Sequence, residues 1–193
     1  DLIAYTTNSL HDTGFVIIQS NKDKFIELLG KDFIDNQTEE LVWNEGRRVS
    51  NKGKDKEAFR KVMLQYLPEN ADLLCAEFEL SLLKRAADWK AYLPKAVEFA
   101  DKFCQNDHER LNYIAGNIWE NYKDKPTLEK ALKFALRSVE LNSNFDNNDT
   151  VARLYQKLNN ITDARKYAET SLALAKKGGV DTFSIEELLQ SLK

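Results

Sequence analysis

The chain has 193 residues, of which 42% are apolar and 31% are charged, with seven glycines and three prolines. This composition indicates a folded, helix-rich protein and excludes a disordered or fibrous chain. A net charge of -3 argues against general binding to nucleic acid or to anionic membranes, and no apolar run approaches the roughly 20 residues that span a bilayer.

Residues 1–30 are the least regular part and are predicted to form an N-terminal helical lead-in that could continue a missing upstream domain. Because the chain begins at Asp1 without a Met or an apolar leader, we expect it to be a piece of a longer product. The pattern predicts a short helix over residues 2–10. The apolar run at residues 15–18 is predicted to be a short buried helix rather than a strand, since no second strand lies nearby to pair with it.

Two punctuating residues divide the rest of this lead-in. Asn21 is predicted to cap the next short helix, because an Asn side chain accepts hydrogen bonds from free N–H groups at a helix start. Gly30 is predicted to end that helix, because glycine adopts the left-handed conformation at little cost.

Residues 31–179 carry the pattern of paired helices. The helices of the first two pairs are predicted over residues 33–50, 55–67, 71–87 and 91–104. The inward side chains of the first helix are predicted to be Phe33, Leu41, Val42 and Val49. Pro94 would then lie in the first turn of the fourth helix, where a missing N–H costs little.

Polar residues mark the starts of later helices. Asn106 followed by Glu109 has the spacing of a capping box and predicts a helix over residues 107–122. Asn160 with Asp163 is predicted to cap a later helix in the same way.

The C-terminal end has its own stop and start signals. Gly178 and Gly179 are predicted to end the preceding helix, and residues 180–193 to form a C-terminal capping helix. Its start is predicted from a capping box of Ser184 with Glu187 and a hydrophobic staple of Phe183 on Leu188.

One spacing of small and large residues occurs three times. Residues 128–141 return 33 positions later in residues 161–174, and the same register lies 35 positions earlier. The shared small residues are Ala96, Ala100, Ala131, Ala135, Ala164 and Ala168. Ser138 and Ser171 also match. Three copies at a period of about 34 predict an all-α fold, an α-solenoid of stacked antiparallel helix hairpins in which the alanines let helices approach closely.

The later copies resemble tetratricopeptide repeats. The resemblance is carried by Ala131, Phe134 and Ala135 followed by ELNSN, and by a second, nearly complete copy. Two departures from the usual pattern are Ser143 in place of Pro and Asn159 in place of Gly. The resemblance implies a binding scaffold, but the family's peptide-binding positions do not transfer to this sequence.

A second resemblance covers most of the chain. The segments SNKDKFIELLGKDF, DWKAYLPKAVEFA, ENYKDKPTLEKALKFALRSVELN and KYAETSLALAKKGG are similar to the helical C-terminal region of bacterial exported proteins whose N-terminal half has a thioredoxin fold. The resemblance implies a periplasmic or otherwise extracytoplasmic location and a docking or substrate-presenting role. The sequence has no CxxC motif, so redox activity does not transfer to it.

The strongest local charge feature is a basic patch in the first predicted helix pair. Its members are Arg47, Arg48, Lys52, Lys54, Lys56, Arg60 and Lys61, interspersed with Glu45, Asp55 and Glu57. A solvated turn between helices and a binding surface for an acidic protein partner are both consistent with this pattern, and nucleic acid is the weakest alternative.

The sequence offers no catalytic, cofactor or metal site. His11 and His108 have no Cys or second His nearby, and no phosphate-binding glycine loop occurs. Cys104 occupies a core position of the repeat, and its alternative role is a disulfide with Cys75. The tryptophans and neighbouring tyrosines are expected to pack between repeats rather than to line a binding surface.

These observations predict a protein–protein interaction module with no catalytic activity of its own. Its partner would be a protein, a peptide or its own upstream domain, without nucleic acid or membrane insertion. The alternative is the accessory, substrate-positioning half of a thioredoxin-like thiol-disulfide oxidoreductase whose CxxC domain lies upstream.

Overall fold

The computed structural model describes residues 9–192, and within them the chain forms eleven α-helices and no strand. The helices are α1 (Thr13–Ser20), α2 (Lys22–Leu29), α3 (Lys31–Val49), α4 (Lys56–Tyr66), α5 (Ala71–Arg85), α6 (Trp89–Phe103), α7 (His108–Asn121), α8 (Lys125–Leu141), α9 (Phe145–Lys157), α10 (Ile161–Gly178) and α11 (Phe183–Ser191). The all-α prediction is confirmed. The helix predicted over residues 2–10 falls largely outside the described residues.

The chain divides into two compact units between Arg85 and Ala86. The first unit contains α1 to α5, and the second contains α6 to α11. The basic patch lies entirely in the first unit, whereas all three copies of the repeated spacing lie in the second.

Aromatic rings form the centre of the first unit. Phe59 of α4 stacks on Phe78 of α5 with ring centroids 3.9 Å apart, and Trp43 of α3 lies edge-on to both rings at 5.3 and 5.9 Å. Gly46 allows α3 to approach α4, because a Cβ at that position would lie 2.7 Å from the Met63 methyl group. The three helices therefore share one core, with Phe59 at its middle.

Only Val42 of the four predicted inward residues belongs to the fully buried face of α3. The buried positions are Ile34, Thr38, Val42 and Gly46, which recur every four residues. Phe33, predicted to face inward, is 42% exposed, so that prediction is wrong. Two apolar residues are adjacent here, and the rotation of α3 against its neighbours places the second of them in the core.

The two short helices predicted for residues 15–30 are present as α1 and α2. The apolar run lies in α1, but only Phe15 and Ile18 are buried, while the two residues between them are about half exposed. Gly30 ends α2 with a φ of 87°. Contrary to the prediction, the side chain of Asn21 does not cap α2. Its amide donates instead to the carbonyl of Ile17, 3.1 Å away, so it closes α1.

The matched small residues of the second unit are all buried. The six alanines predicted at helix interfaces have no exposed surface. Ser138 donates a hydrogen bond to the carbonyl of His108, the first residue of α7, at 2.7 Å. Ser171 donates one to the carbonyl of Phe145, the first residue of α9, at 2.5 Å. The two later copies thus share a buried interhelix hydrogen bond as well as a spacing.

An Asp or Asn directly precedes each helix from α6 to α10, and its side chain accepts a hydrogen bond from the backbone N–H three residues later. These caps are Asp88, Asp107, Asp124, Asn144 and Asn160. The cap of α7 is therefore Asp107 and not Asn106. Because α6 starts at Trp89, Pro94 lies inside the helix and beyond its first turn, which corrects the predicted start.

The last helix starts earlier than its predicted capping box. Thr182 precedes α11 and makes no side-chain cap hydrogen bond to the helix backbone. Phe183 is the first helical residue and is 65% exposed, so it does not form the predicted staple. The α11 core contacts come instead from Leu188 and Leu192, which are buried among alanines of α9 and α10.

Asp107 should make stability depend on pH. Burial alone would raise the pKa of this carboxyl, but hydrogen bonds from the backbone and guanidinium of Arg110 outweigh it and lower the pKa. A lowered folded-state pKa stabilises the protein above the unfolded pKa of about 3.9, and this stability is lost as pH falls through the folded value.

We therefore expect Asp107→Asn, which keeps a cap acceptor but no charge, to be less stable than the parent at pH 7 by about 0.3–1 kcal/mol. The difference should shrink as pH falls through the folded-state pKa of Asp107, as measured by urea denaturation at pH 7 and over a series of acidic pH values. Asp107→Ala, which removes the cap itself, should remain destabilised by about 1 kcal/mol at neutral pH. A parent-to-Asn difference that does not change with pH would contradict the assigned role of the charge.

Candidate functional site

The structure distributes the basic patch over one helix end, one turn and one helix. Arg47 and Arg48 lie in the last turn of α3, and Lys52 and Lys54 lie in the turn between α3 and α4. The remaining members, on α4, are Lys56, Arg60 and Lys61. The patch is therefore not one continuous face, and its members have different partners.

Three of the seven cations are paired with carboxylates. Arg48 donates two hydrogen bonds to Glu45, at 2.6 and 2.7 Å, and these lower the pKa of Glu45 against the opposing effect of burial. Lys56 pairs with Glu79 at 3.0 Å, and Arg60 pairs with Asp72 at 2.8 Å.

These pairs show which part of the patch serves the fold. The carboxylates that meet α4 come from α5, not from the acidic residues interspersed in the patch. Asp55, one of those interspersed acids, instead caps α4 by accepting the N–H of Ala58 at 2.8 Å. Lys56 and Arg60 thus help to orient α4 against α5, although exposed pairs of this kind contribute little to stability.

The other end of the patch lines a cavity of about 280 Å³. Its cationic lining residues are Arg47, Arg48, Lys52 and Arg85, and its other lining residues are Asn44, Ser50, Gly53 and Phe78. None of these residues is acidic. Arg85, at the C-terminal end of α5, was missed by the sequence analysis. The only sequence signal for it is the basic pair it forms with Lys84 at the end of a predicted helix.

The turn that carries Lys52 is held in place by buried contacts. The hydroxyl of the buried Ser50 donates to the carbonyl of Arg47 at 2.9 Å and accepts the N–H of Gly53 at 3.2 Å. Gly53 has a φ of 89°, and a Cβ there would lie 2.3 Å from a methyl group of Leu82. Only glycine suits this contact between the turn and α5. The fold therefore fixes the backbone at Lys52.

The aromatic residues singled out from the sequence make ring contacts within the two units. In the second unit, Trp89 lies edge-on to Tyr92 and Tyr122 at 5.4 and 6.5 Å. Trp119 of α7 is covered by Arg153 and Lys157 of α9, each 5.3 Å from its ring centroid. The cations thus hold α9 against α7 by cation–π contacts, and burial lowers the pKa of Lys157.

The cysteines are not disulfide-bonded, so the alternative pairing of Cys75 with Cys104 is wrong. Cys104 is fully buried, as its place in the repeat predicts. Burial raises the pKa of the Cys75 thiol, with Arg60 opposing the shift. A reactive cysteine requires a lowered pKa, so Cys75 lacks the electrostatic setting of a redox thiol.

The histidines contact single polar neighbours. His11 lies 3.5 Å from a carboxylate oxygen of Glu45, and His108 lies 3.0 Å from the amide nitrogen of Asn142. Across residues 9–192, no three His, Cys, Asp or Glu side chains are grouped so that they could hold a metal ion. No helix in that range is both long enough and apolar enough to cross a membrane.

The basic cavity of the first unit and the helices of the second unit are two candidate binding surfaces. Comparison with protein-family models, with curated proteins and with solved structures gives no match.

Proposed function

We propose that the chain is a protein–protein interaction module built on stacked, tetratricopeptide-like helix hairpins and has no catalytic activity of its own. The observation that carries the proposal is the regular register of hydrogen bonds between helices of the second unit. Stacked hairpins bind other proteins because they present an extended surface formed by equivalent helices of successive repeats.

Contacts between α7 and α9 support this architecture. Asn112 donates to Asp146 at 2.9 Å near the N-terminal ends of the two helices. Lys157 donates to the carbonyls of Trp119 and, at 3.3 Å, of Tyr122 near their C-terminal ends. The two helices therefore run side by side in the same direction, as the first helices of successive hairpins would.

The next step of the array repeats the arrangement. Arg153 and Gln156 of α9 donate to Ser184 and Ser191 of α11, at 2.8 and 2.9 Å. The sequence separations of these bonds, 31 and 35 residues, are close to the period of the repeat. On this basis we assign α7, α9 and α11 to one layer of the proposed array and the helices between them to the other.

We assign partner binding to the layer of α7, α9 and α11. Tyr113 of α7 is 52% exposed, and tyrosine is one of the residues enriched at binding hot spots. Ile161, at the start of α10 in the other layer, is 43% exposed and provides a matched large hydrophobic residue outside the proposed surface.

The test is capture of partners by the immobilised chain from bacterial envelope and cytoplasmic extracts. A recombinant copy of any domain encoded upstream is added as competitor in a parallel arm. We expect Tyr113→Ala to lower the amount of captured protein about fivefold or more, since loss of a hot-spot residue costs over 1 kcal/mol. Ile161→Ala should capture as much as the parent.

Equal capture by both variants and the parent would contradict the assignment of this layer. Competition by the upstream domain would identify that domain as the partner, whereas its failure to compete would identify a separate protein. Thermal melting by circular dichroism verifies that both variants are folded.

A further inference from the structure

We propose that the cavity at the C-terminal ends of α3 and α5 binds a carboxylate side chain of an acidic peptide segment, with Arg47, Lys52 and Arg85 as its cationic ligands. The inference rests on the proposed function only in taking a peptide as the ligand. The cavity belongs to the first unit and does not involve the helix array on which that function was argued.

The cavity carries more positive charge than the carboxylates around it neutralise. Arg48 is engaged by Glu45, but Arg47, Lys52 and Arg85 have no carboxylate within ion-pair distance among residues 9–192. The C-terminal ends of α3 and α5 each carry the equivalent of about half a negative charge, which together offset about one of these three cations. About two positive charges are left facing a concave space without an acidic lining residue.

The backbone at Lys52 is more strained than a simple reversal of the chain would require. Asn51, Lys52 and Gly53 have consecutive φ values of 48°, 60° and 89°. Asn and Gly tolerate the left-handed region, but a lysine there is strained. Strained residues persist where the surrounding structure fixes them, and they are concentrated at binding sites. The buried contacts of Ser50 and Gly53 hold this turn, so the backbone that carries the cation is positioned before any ligand arrives.

The lining favours a carboxylate on a peptide over a free ion. Two guanidinium groups offer forked donors that match the two oxygens of a carboxylate. The ring of Phe78 provides an apolar wall for the methylene groups of an acidic side chain, and the amide of Asn44 can both donate to and accept from a peptide group. The cavity volume of about 280 Å³ is sufficient for one such side chain and its adjoining backbone, and not for a whole domain.

The experiment measures binding of a fluorescein-labelled hexaglutamate peptide to the full chain by fluorescence anisotropy, with hexaglutamine as the uncharged probe. We expect hexaglutamate to bind, hexaglutamine not to bind, and affinity to fall as NaCl is raised, because exposed charges are screened by salt. Arg47→Gln combined with Arg85→Gln should weaken binding about tenfold or more, since each removes a charge-assisted hydrogen bond.

The matched control is Lys54→Gln combined with Lys61→Gln, which also removes two positive charges, but from members of the basic patch outside the cavity. It should change the affinity by about twofold or less, because separated surface charges are largely screened. If the control weakens binding as much as the arginine pair, the attraction is a general effect of net charge and the cavity assignment is overturned. Binding of a phosphoserine hexapeptide alone, without hexaglutamate, would overturn the carboxylate assignment.

A single variant separates function from stability. Lys52→Gly removes a cation and also relieves the strained φ, so it should weaken hexaglutamate binding without lowering the melting temperature. Unchanged binding by this variant would remove Lys52 from the site. Since the peptide assay uses first-unit variants and partner capture uses Tyr113 and Ile161 variants, each proposal can fail without the other.

Discussion

Replacing Ala168 by tryptophan is expected to destabilise the protein by about 3 kcal/mol or more, at or beyond the upper end of the usual cost of overpacking a core. Ala168 has no exposed surface and packs in one cluster with Ala152 of α9, Leu188 of α11 and Leu192, which directly follows α11. An indole at this position has no free volume to occupy. Either α9 or α11 must move away from α10. A movement of α9 would also disturb the stacking of Tyr155 on Tyr167 of α10.

The neighbouring substitution Glu169→Trp is the matched control, because Glu169 is exposed on the same helix. It should change the free energy of unfolding by no more than about 0.5 kcal/mol. Urea denaturation followed by circular dichroism measures both variants. If Ala168→Trp unfolds at the same urea concentration as the parent, the close approach of helices through the matched alanines is not the basis of the packing.

Phe59→Ala should have a comparable effect in the first unit, a loss of about 3–5 kcal/mol. Phe59 has no exposed surface and lies between Trp43 and Phe78, so its removal leaves a cavity at the junction of α3, α4 and α5. The loss includes both the apolar surface no longer buried and the contacts that Trp43 and Phe78 can no longer make. Because Phe78 also lines the basic cavity, this variant should weaken peptide binding as well.

Leu64→Ala provides the comparison on the same helix, since Leu64 is 47% exposed. We expect it to alter the unfolding free energy by about 0.5 kcal/mol or less. Near-ultraviolet circular dichroism should show loss of fixed aromatic packing in Phe59→Ala and a parent-like spectrum in Leu64→Ala. A Phe59→Ala variant with parental stability and spectrum would show that the three rings do not form the core of this unit.

The asparagine at position 159 illustrates how far local sequence can determine structure. Its φ of 60° lies in the left-handed region. Asparagine adopts this region more readily than most residues, so it suits the turn before α10. The caps of α8, α9 and α10 follow from equally local chemistry, because an Asp or Asn side chain satisfies a free N–H only three residues away.

The basic patch shows where local pattern is insufficient. Its seven members lie close enough in the sequence to be seen as one feature. In the structure, however, Lys56 and Arg60 form interhelix ion pairs. Arg47 and Lys52 instead line a cavity together with Arg85. Those partners belong to another helix. The packing of α3, α4 and α5 therefore decides which cations remain available for a ligand. The spacing of the residues along the chain does not predict this.

The sequence by itself determined the all-α class and the burial of the repeated alanines. These features depend on periodicity within a helix and on side-chain size, both of which can be read over a few turns. Tertiary structure decided that Ile34 rather than Phe33 enters the core, and that α6 begins early enough to enclose Pro94. It also decided that Arg85 completes the cavity. These outcomes depend on the rotation and contacts of neighbouring helices, because adjacent residues with similar chemistry are distinguished only by the surface they meet.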